Sequence, residues 1–185
     1  NSKAIDLLAE MGAIDVSEIK DKWESFTVQE NGGNLIIAGS DKRGTIYGIY
    51  DFCEWLGVSP WYFFADVPVR RRSEVVIENG YCKVDYPSVE YRGIFINDEE
   101  ELEHWVWRYM GETTIGVKTY EKIFELLLRL KLNYIWPAMH VNSFNLKQEN
   151  GALANRMGIV VGTSHCDMLM RSNNREWKPW LAKKG

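Results

Sequence analysis

Apolar positions along the first half of the chain change their period twice. Ala4, Leu7, Leu8 and Met11 recur at helical spacing, and Gly12 follows as a stop. In Trp23-Glu24-Ser25-Phe26-Thr27-Val28-Gln29 the alternation of Phe26 and Val28 predicts a strand. Asn31-Gly32-Gly33-Asn34 then turns the chain into Leu35-Ile36-Ile37-Ala38-Gly39, so the two runs read as a hairpin. After the polar loop Ser40 to Gly44, the positions Ile46, Ile49, Tyr50, Cys53 and Leu56 return to helical spacing and end at Gly57. Residues 58–68 break the rhythm with four consecutive aromatics, Trp61 to Phe64, read as core packing in preference to a cleft wall. Val69–Ile77 and Tyr81–Val84 read as further strands, and Tyr86-Pro87-Ser88 as a linker.

Beyond that linker the pattern becomes strand, helix, strand, helix, strand. Tyr91-Arg92-Gly93-Ile94-Phe95-Ile96 is a short apolar run of the kind a strand buried on both faces gives. Tyr120, Ile123, Phe124, Leu127, Leu128 and Leu130 form a wide apolar face on a helix over about 118–131. Leu132 to Trp136 is a second strand, Ala152 to Met157 a second helical stretch, and Gly158 to Gly162 a third strand. Such alternation implies βαβ units and a parallel sheet.

Composition narrows the class. Trp, Tyr and Phe number 8, 9 and 7, an excess that a large aromatic core or a sugar-handling surface would explain, since sugar rings present apolar C–H faces to flat side chains. The net charge of −4 gives no basic surface for nucleic acid, and no apolar run is long enough for a membrane span. Cys53, Cys82 and Cys166 leave at least one thiol unpaired and outline no disulfide scaffold. With no initiator Met, no signal peptide and no natural-looking end, the sequence reads as an internal piece of a larger protein.

In parallel α/β architectures the chemistry sits at the carboxyl ends of the strands. Asn97 and Asp98 follow the first strand. Trp136, Pro137, Ala138, Met139 and His140, then Asn142 and Asn145, follow the second. Thr163, Ser164 and His165 follow the third. All three ends thus deliver groups suited to a polyhydroxylated ligand. Glu100, Glu101 and Glu103 read as an acidic run that is solvated or complements a helix N-terminus. Ser164-His165-Cys166-Asp167 holds the ingredients of a nucleophilic triad, but neighbours in an extended segment point to opposite faces and do not converge. No His-x-x-x-His or Cys-x-x-Cys spacing signals a metal, no glycine-rich phosphate loop occurs, and no cofactor is expected.

At these strand ends the chain resembles family 115 of the glycoside hydrolases, the xylan α-1,2-glucuronidases. The likeness is carried by Gly39-Ser40-Asp41-Lys42-Arg43-Gly44-Thr45-Ile46-Tyr47-Gly48-Ile49-Tyr50-Asp51, by Gly57 to Tyr62 and Ala65 to Pro68, and by Tyr91-Arg92-Gly93-Ile94-Phe95-Ile96-Asn97-Asp98-Glu99. Phe124 to Leu130, Trp136-Pro137-Ala138-Met139 and Gly162-Thr163-Ser164-His165 complete it. A weaker likeness, confined to the hairpin and helix, extends to the small accessory domain of β-hexosaminidases and other α-glucuronidases. The sequence departs from the family pattern at Asp167-Met168, where Glu-Pro is expected, and in the loop from Glu100 to Arg108.

The resemblance implies an α/β fold in which residues 1–87 are the C-terminal part of an accessory domain, an antiparallel hairpin plus helix. Residues 88–185 would then be the first three strands of a truncated (β/α)8 barrel. It implies a metal-independent, inverting hydrolase that removes (4-O-methyl-)glucuronic acid from glucuronoxylan or its oligosaccharides. It implies that Asn97, Asp98, Trp136, His140 and His165 face the pocket; together with the strand-end reading, Asp98 and His165 are expected to be catalytic, and Asn97, Trp136, His140 and Asn145 to bind substrate. Inverting glycosidases need an acid and a base about 6.5–9.5 Å apart. Asp98 supplies one carboxyl, so the general acid is expected beyond residue 185 and the chain alone is expected to be inactive. Secretion or a periplasmic location follows from the bulk of the substrate, and a homodimer is one assembly open to the whole enzyme. Another hexosaminidase-like hydrolase, or a non-catalytic carbohydrate-binding protein on the same scaffold, is the alternative.

Overall fold

A computed structural model of the chain describes residues 3–97, 99–165 and 167–184. They fall into two compact units, Asn1–Glu90 with Leu128–Lys131, and Tyr91–Leu127 with Leu132–Gly185. The first is built on a three-stranded antiparallel sheet and the second on a three-stranded parallel one.

In the first unit, α1 (Lys3–Glu10) precedes the hairpin of β1 (Phe26–Asn31) and β2 (Asn34–Gly39). Gly32 and Gly33 both take positive φ, +59° and +80°, the backbone that lets a two-residue turn match the strand twist. Helix α2 (Lys42–Trp55) follows at once because Asp41 caps it, its carboxylate accepting the Gly44 N–H at 2.7 Å. Strand β3 (Cys82–Asp85) pairs with the other side of β1, which gives the order β2-β1-β3. The predicted strand over 69–77 is absent: that segment has no regular structure, and only its successor joins the sheet.

The faces used for packing differ from those the apolar pattern names. On α2 the buried positions are Gly44, Tyr47, Gly48 and Asp51, whereas Ile49 is exposed. Two glycines explain this. A Cβ on Gly48 would lie 2.8 Å from Ile37 and 3.1 Å from Phe26, and one on Gly44 would lie 2.2 Å from the Ser25 carbonyl oxygen. The helix therefore lies closer to the sheet on its glycine face than any bulkier face allows. On α1, Ile5, Leu8 and Ala9 pack against Ile14, Ile19 and Ala38, while Leu7, and Met11 just past the helix, are exposed. The aromatics Trp61 to Phe64 are only partly covered, Trp61 being exposed, and Phe63 meets Tyr62 and Phe64 edge-on. Charge holds one edge of the sheet: Asp51 bonds Lys83 at 2.6 Å and Lys131 at 2.7 Å, and Lys131 also bonds Asp85 at 2.7 Å.

In the second unit β4 (Gly93–Phe95), β5 (Tyr134–Trp136) and β6 (Val160–Val161) run parallel in the order β4-β5-β6. Phe95 lies level with Trp136, and Ile135 with Val161. A helix, α3 (Glu100–Trp105), occupies the acidic run and continues through a wider π turn, Val106–Met110. Its acidic first turn, with Glu100, Glu101 and Glu103, suits the positive end of the helix dipole. Helix α4 (Val117–Arg129) precedes β5, and α5 (Gln148–Met157) follows it, ended by Gly158 at φ +76°. The core is centred on α4: Tyr120, Phe124 and Leu127 are fully buried, and Tyr120 meets Phe144 edge-on at 4.7 Å. Strand β4 departs from expectation. Ile94 and Phe95 are exposed rather than covered on both faces, because among the described residues β4 is an edge strand paired only with β5.

Candidate functional site

The carboxyl ends of β4, β5 and β6 open on a cleft of about 260 Å³ lined by Asn97, Glu99, Glu100, Met139, His140, Val141 and His165. One residue in this lining organises the rest. Glu99 is almost fully buried, and its carboxylate faces the turn that leaves β5. One oxygen, Oε1, accepts the Met139 N–H at 2.6 Å and the His140 N–H as well. The other, Oε2, accepts the N–H groups of Val141 and Asn142, each at 2.8 Å, and the Asn142 side-chain amide at 3.1 Å. Burial works to raise the Glu99 pKa, but the Asn142 and His140 donors and their neighbours outweigh it and hold the carboxyl below its ordinary range. Glu99 is therefore an anion, with the partners that a buried charge requires.

The network extends into the core. Asn142 turns its side-chain oxygen to the Ile115 N–H at 3.0 Å, tying the turn to the segment that starts α4. Tyr120 lies beneath it, its phenol pushed far above the ordinary value by burial, with the Glu99 charge adding to the effect. A second carboxyl, Asp167, is also buried, and its Oδ1 has no hydrogen-bond partner among the described residues. Burial raises its pKa; the backbone N–H of Asn173 opposes the rise, and the charges of Glu176 and Glu99 reinforce it. Two buried carboxyls at the strand ends are thus pushed in opposite directions, Glu99 towards the ionised form and Asp167 towards the neutral one.

The residues expected at the site divide into three groups. Asn97, His140 and His165 line the cleft. Trp136 and Asn145 are not in its lining: Trp136 stacks edge-on with Phe95 at 5.6 Å and donates its indole N–H to the Tyr134 hydroxyl at 3.0 Å, while Asn145 donates to the Met170 carbonyl at 3.1 Å. Asp98 lies outside the described residues, as does Cys166.

Two residue-level readings change. Glu100 lines the cleft instead of belonging only to a solvated run. Ser164 Oγ lies 3.2 Å from His165 Nδ1, because the chain turns at His165 and the opposite-face rule for extended backbone does not apply there. The Ser164 hydroxyl also bonds the Met139 sulfur at 3.3 Å, which fixes it against the β5 turn.

Glu99 escapes a reading of the sequence because it stands in a run of acids. Among the described residues, no group of three or more His, Cys, Asp or Glu side chains converges in a way that would hold a metal ion. No helix among them is long and apolar enough to cross a membrane.

A parallel sheet whose strand ends present imidazoles, an amide and carboxyls to a small cleft defines the class of protein as an α/β enzyme-like fold with a polar-ligand site. Comparison with known proteins narrows it further. The sequence profile described as Glycosyl hydrolase family 115 matches residues 84–185. A solved structure, described as a novel family GH115 4-O-methyl-α-glucuronidase with specificity for decorated arabinogalactans, is 41% identical with a TM-score of 0.86. The match covers 92% of this chain and 24% of that one, so this chain spans about a quarter of the relative's length. No curated protein matches the chain. The chain belongs to glycosyl hydrolase family 115.

Proposed function

We propose that this chain forms one wall of the active site of an inverting α-glucuronidase, a glycoside hydrolase that removes (4-O-methyl-)glucuronic acid side chains from a plant polysaccharide. The observation that carries the reading is the meeting of Asn97, His140 and His165 in one cleft at the ends of three parallel strands, in a chain of this family. In the proposed site Asn97 and His140 bind sugar hydroxyls or the uronate, and His165 acts beside the reacting centre. Asp98 serves as general base or hydroxyl ligand. The three parallel strands would be the first of a (β/α)8 barrel. An inverting reaction needs a second carboxyl across the sugar, with water held between base and anomeric carbon. That acid would lie on a later strand of the whole protein, and the 185-residue chain by itself would then be inactive.

The polymer is either glucuronoxylan, as the resemblance suggests, or a decorated arabinogalactan, the substrate named for the 41% identical relative. Either would place the enzyme outside the cytoplasm. The test is to incubate the full-length protein with each polymer and separate the released sugars by anion-exchange chromatography. The expected product is an acidic uronate, with the inverted anomer seen first by proton NMR. Release of a neutral N-acetylhexosamine, or of no sugar, would overturn the assignment. As a residue-level check, His165→Ala in the full-length protein should lower kcat by about a hundredfold or more, the range for a lost acid–base or charge-stabilising group, with an unchanged circular-dichroism spectrum.

A further inference from the structure

The turn that carries His140 has no repetitive structure of its own, yet its N–H groups all point one way. Met139, His140, Val141 and Asn142 supply four consecutive main-chain donors, and Asn142 adds its side-chain amide. Successive N–H groups converging in this way form a concave anion-binding nest. In this chain the anion is internal: the Glu99 carboxylate fills the nest, with Oε1 serving the first two donors and Oε2 the last two.

We propose that Glu99 is a positioning residue, whose ionised carboxylate folds the β5 turn around itself and so sets His140 at the cleft. This deepens the functional reading above and rests on it only for its catalytic consequence. Three features support it. Glu99 is 4% exposed, so its carboxylate meets these donors largely out of water. The N–H groups of four residues meet one side chain from a different strand end, so removing the charge leaves several buried donors without an acceptor at once. The same turn is anchored from outside as well, since the His140 carbonyl accepts from Asn174 and the Val141 carbonyl from Arg175. With the donors held by Glu99 and the carbonyls held by the 174–175 segment, His140 projects from a turn fixed on both sides.

Charge matters here as much as shape. A glutamine at position 99 has nearly the volume of glutamate, but it keeps one acceptor oxygen and aims an NH2 group at two N–H donors. The titratable groups that act with Glu99 are Asp167 and the Tyr120 phenol, and burial raises the pKa of both.

The test uses the full-length protein and two readouts. In Glu99→Gln, amide hydrogen exchange in a peptide spanning 139–142 should quicken by about tenfold or more, while exchange in the 26–39 hairpin is unchanged. In a catalytic assay on the released uronate, kcat should fall about tenfold or more with a smaller change in KM. As a check that needs no variant, the amide proton shifts of Met139, His140, Val141 and Asn142 in the wild-type protein should move together on acidification, with a common midpoint below 4.5. Unchanged exchange at 139–142, or four amides that do not titrate together, overturns the nest. Faster exchange with unaltered kcat overturns the positioning role. Absence of uronate release by the wild-type protein sinks the functional reading and leaves the exchange and titration results to judge the nest.

Discussion

At the scale of single residues, the structure turns on where acids find partners. Asp51 is the clearest case in the first unit. Burial works to raise its pKa, but the hydrogen bonds and charges of Lys131 and Lys83 overcome it, and the carboxyl sits below the ordinary 3.8. A depressed folded value means that its stabilising contribution is complete above the unfolded pKa and is lost as the pH falls through the folded one. Lys131 is shifted the other way: burial works to lower it, its bonds to Asp51 and Asp85 raise it above 10.5, and its contribution fades as the pH rises past that value. Asp51→Ala is therefore expected to destabilise the protein by about 1–2 kcal/mol at neutral pH, discounted because both lysines are partly in water. In urea unfolding the difference between variant and wild type should shrink as the pH falls below the ordinary value of 3.8. An equal difference at all pH values would show that packing, and not the ion pairs, carries the effect.

At the scale of elements, glycines decide which faces meet. Gly48 is helical yet buried against Phe26 and Ile37, so a methyl group there has no room. Gly48→Ala is expected to lower stability by about 1–3 kcal/mol through overpacking, despite the better helix propensity of alanine. Gly151 is its counterpart in α5, exposed and with nothing within 4 Å of where an added Cβ would sit. Gly151→Ala is expected to raise stability by about 0.5–1 kcal/mol, because only the conformational freedom of the glycine changes. Thermal unfolding of the two variants should move in opposite directions. The same contrast explains why the apolar pattern finds α2 but misassigns its face: the period is legible, but the close approach depends on residues that have no side chain.

At the scale of the molecule, two units of different sheet type share one chain, and the strand ends of the parallel one collect the chemistry. The change of period near residue 88 announces that second unit, and the residues following each apolar run include Asn97, His140 and His165, all three of which line the cleft. Glu99 and Glu100 are hidden at that level, since a run of acids looks the same on a solvated helix as at a cleft. Trp136 follows its strand as expected, but the register places it level with Phe95, and its ring packs there outside the cleft lining.

What the sequence determined by itself is the order and type of most elements, the hairpin with its Gly32-Gly33 turn, the parallel alternation, and the family. These are written in local period and in short motifs, and neither requires knowledge of distant partners. Only the tertiary structure decided that α2 packs on its glycines, that 69–77 forms no strand, that β4 lies at an edge among the described residues, and that Glu99 gathers the 139–142 turn. Each of these depends on what lies across a gap of tens of residues. A carboxylate becomes an anchor or a solvated charge according to the donors that the fold brings to it.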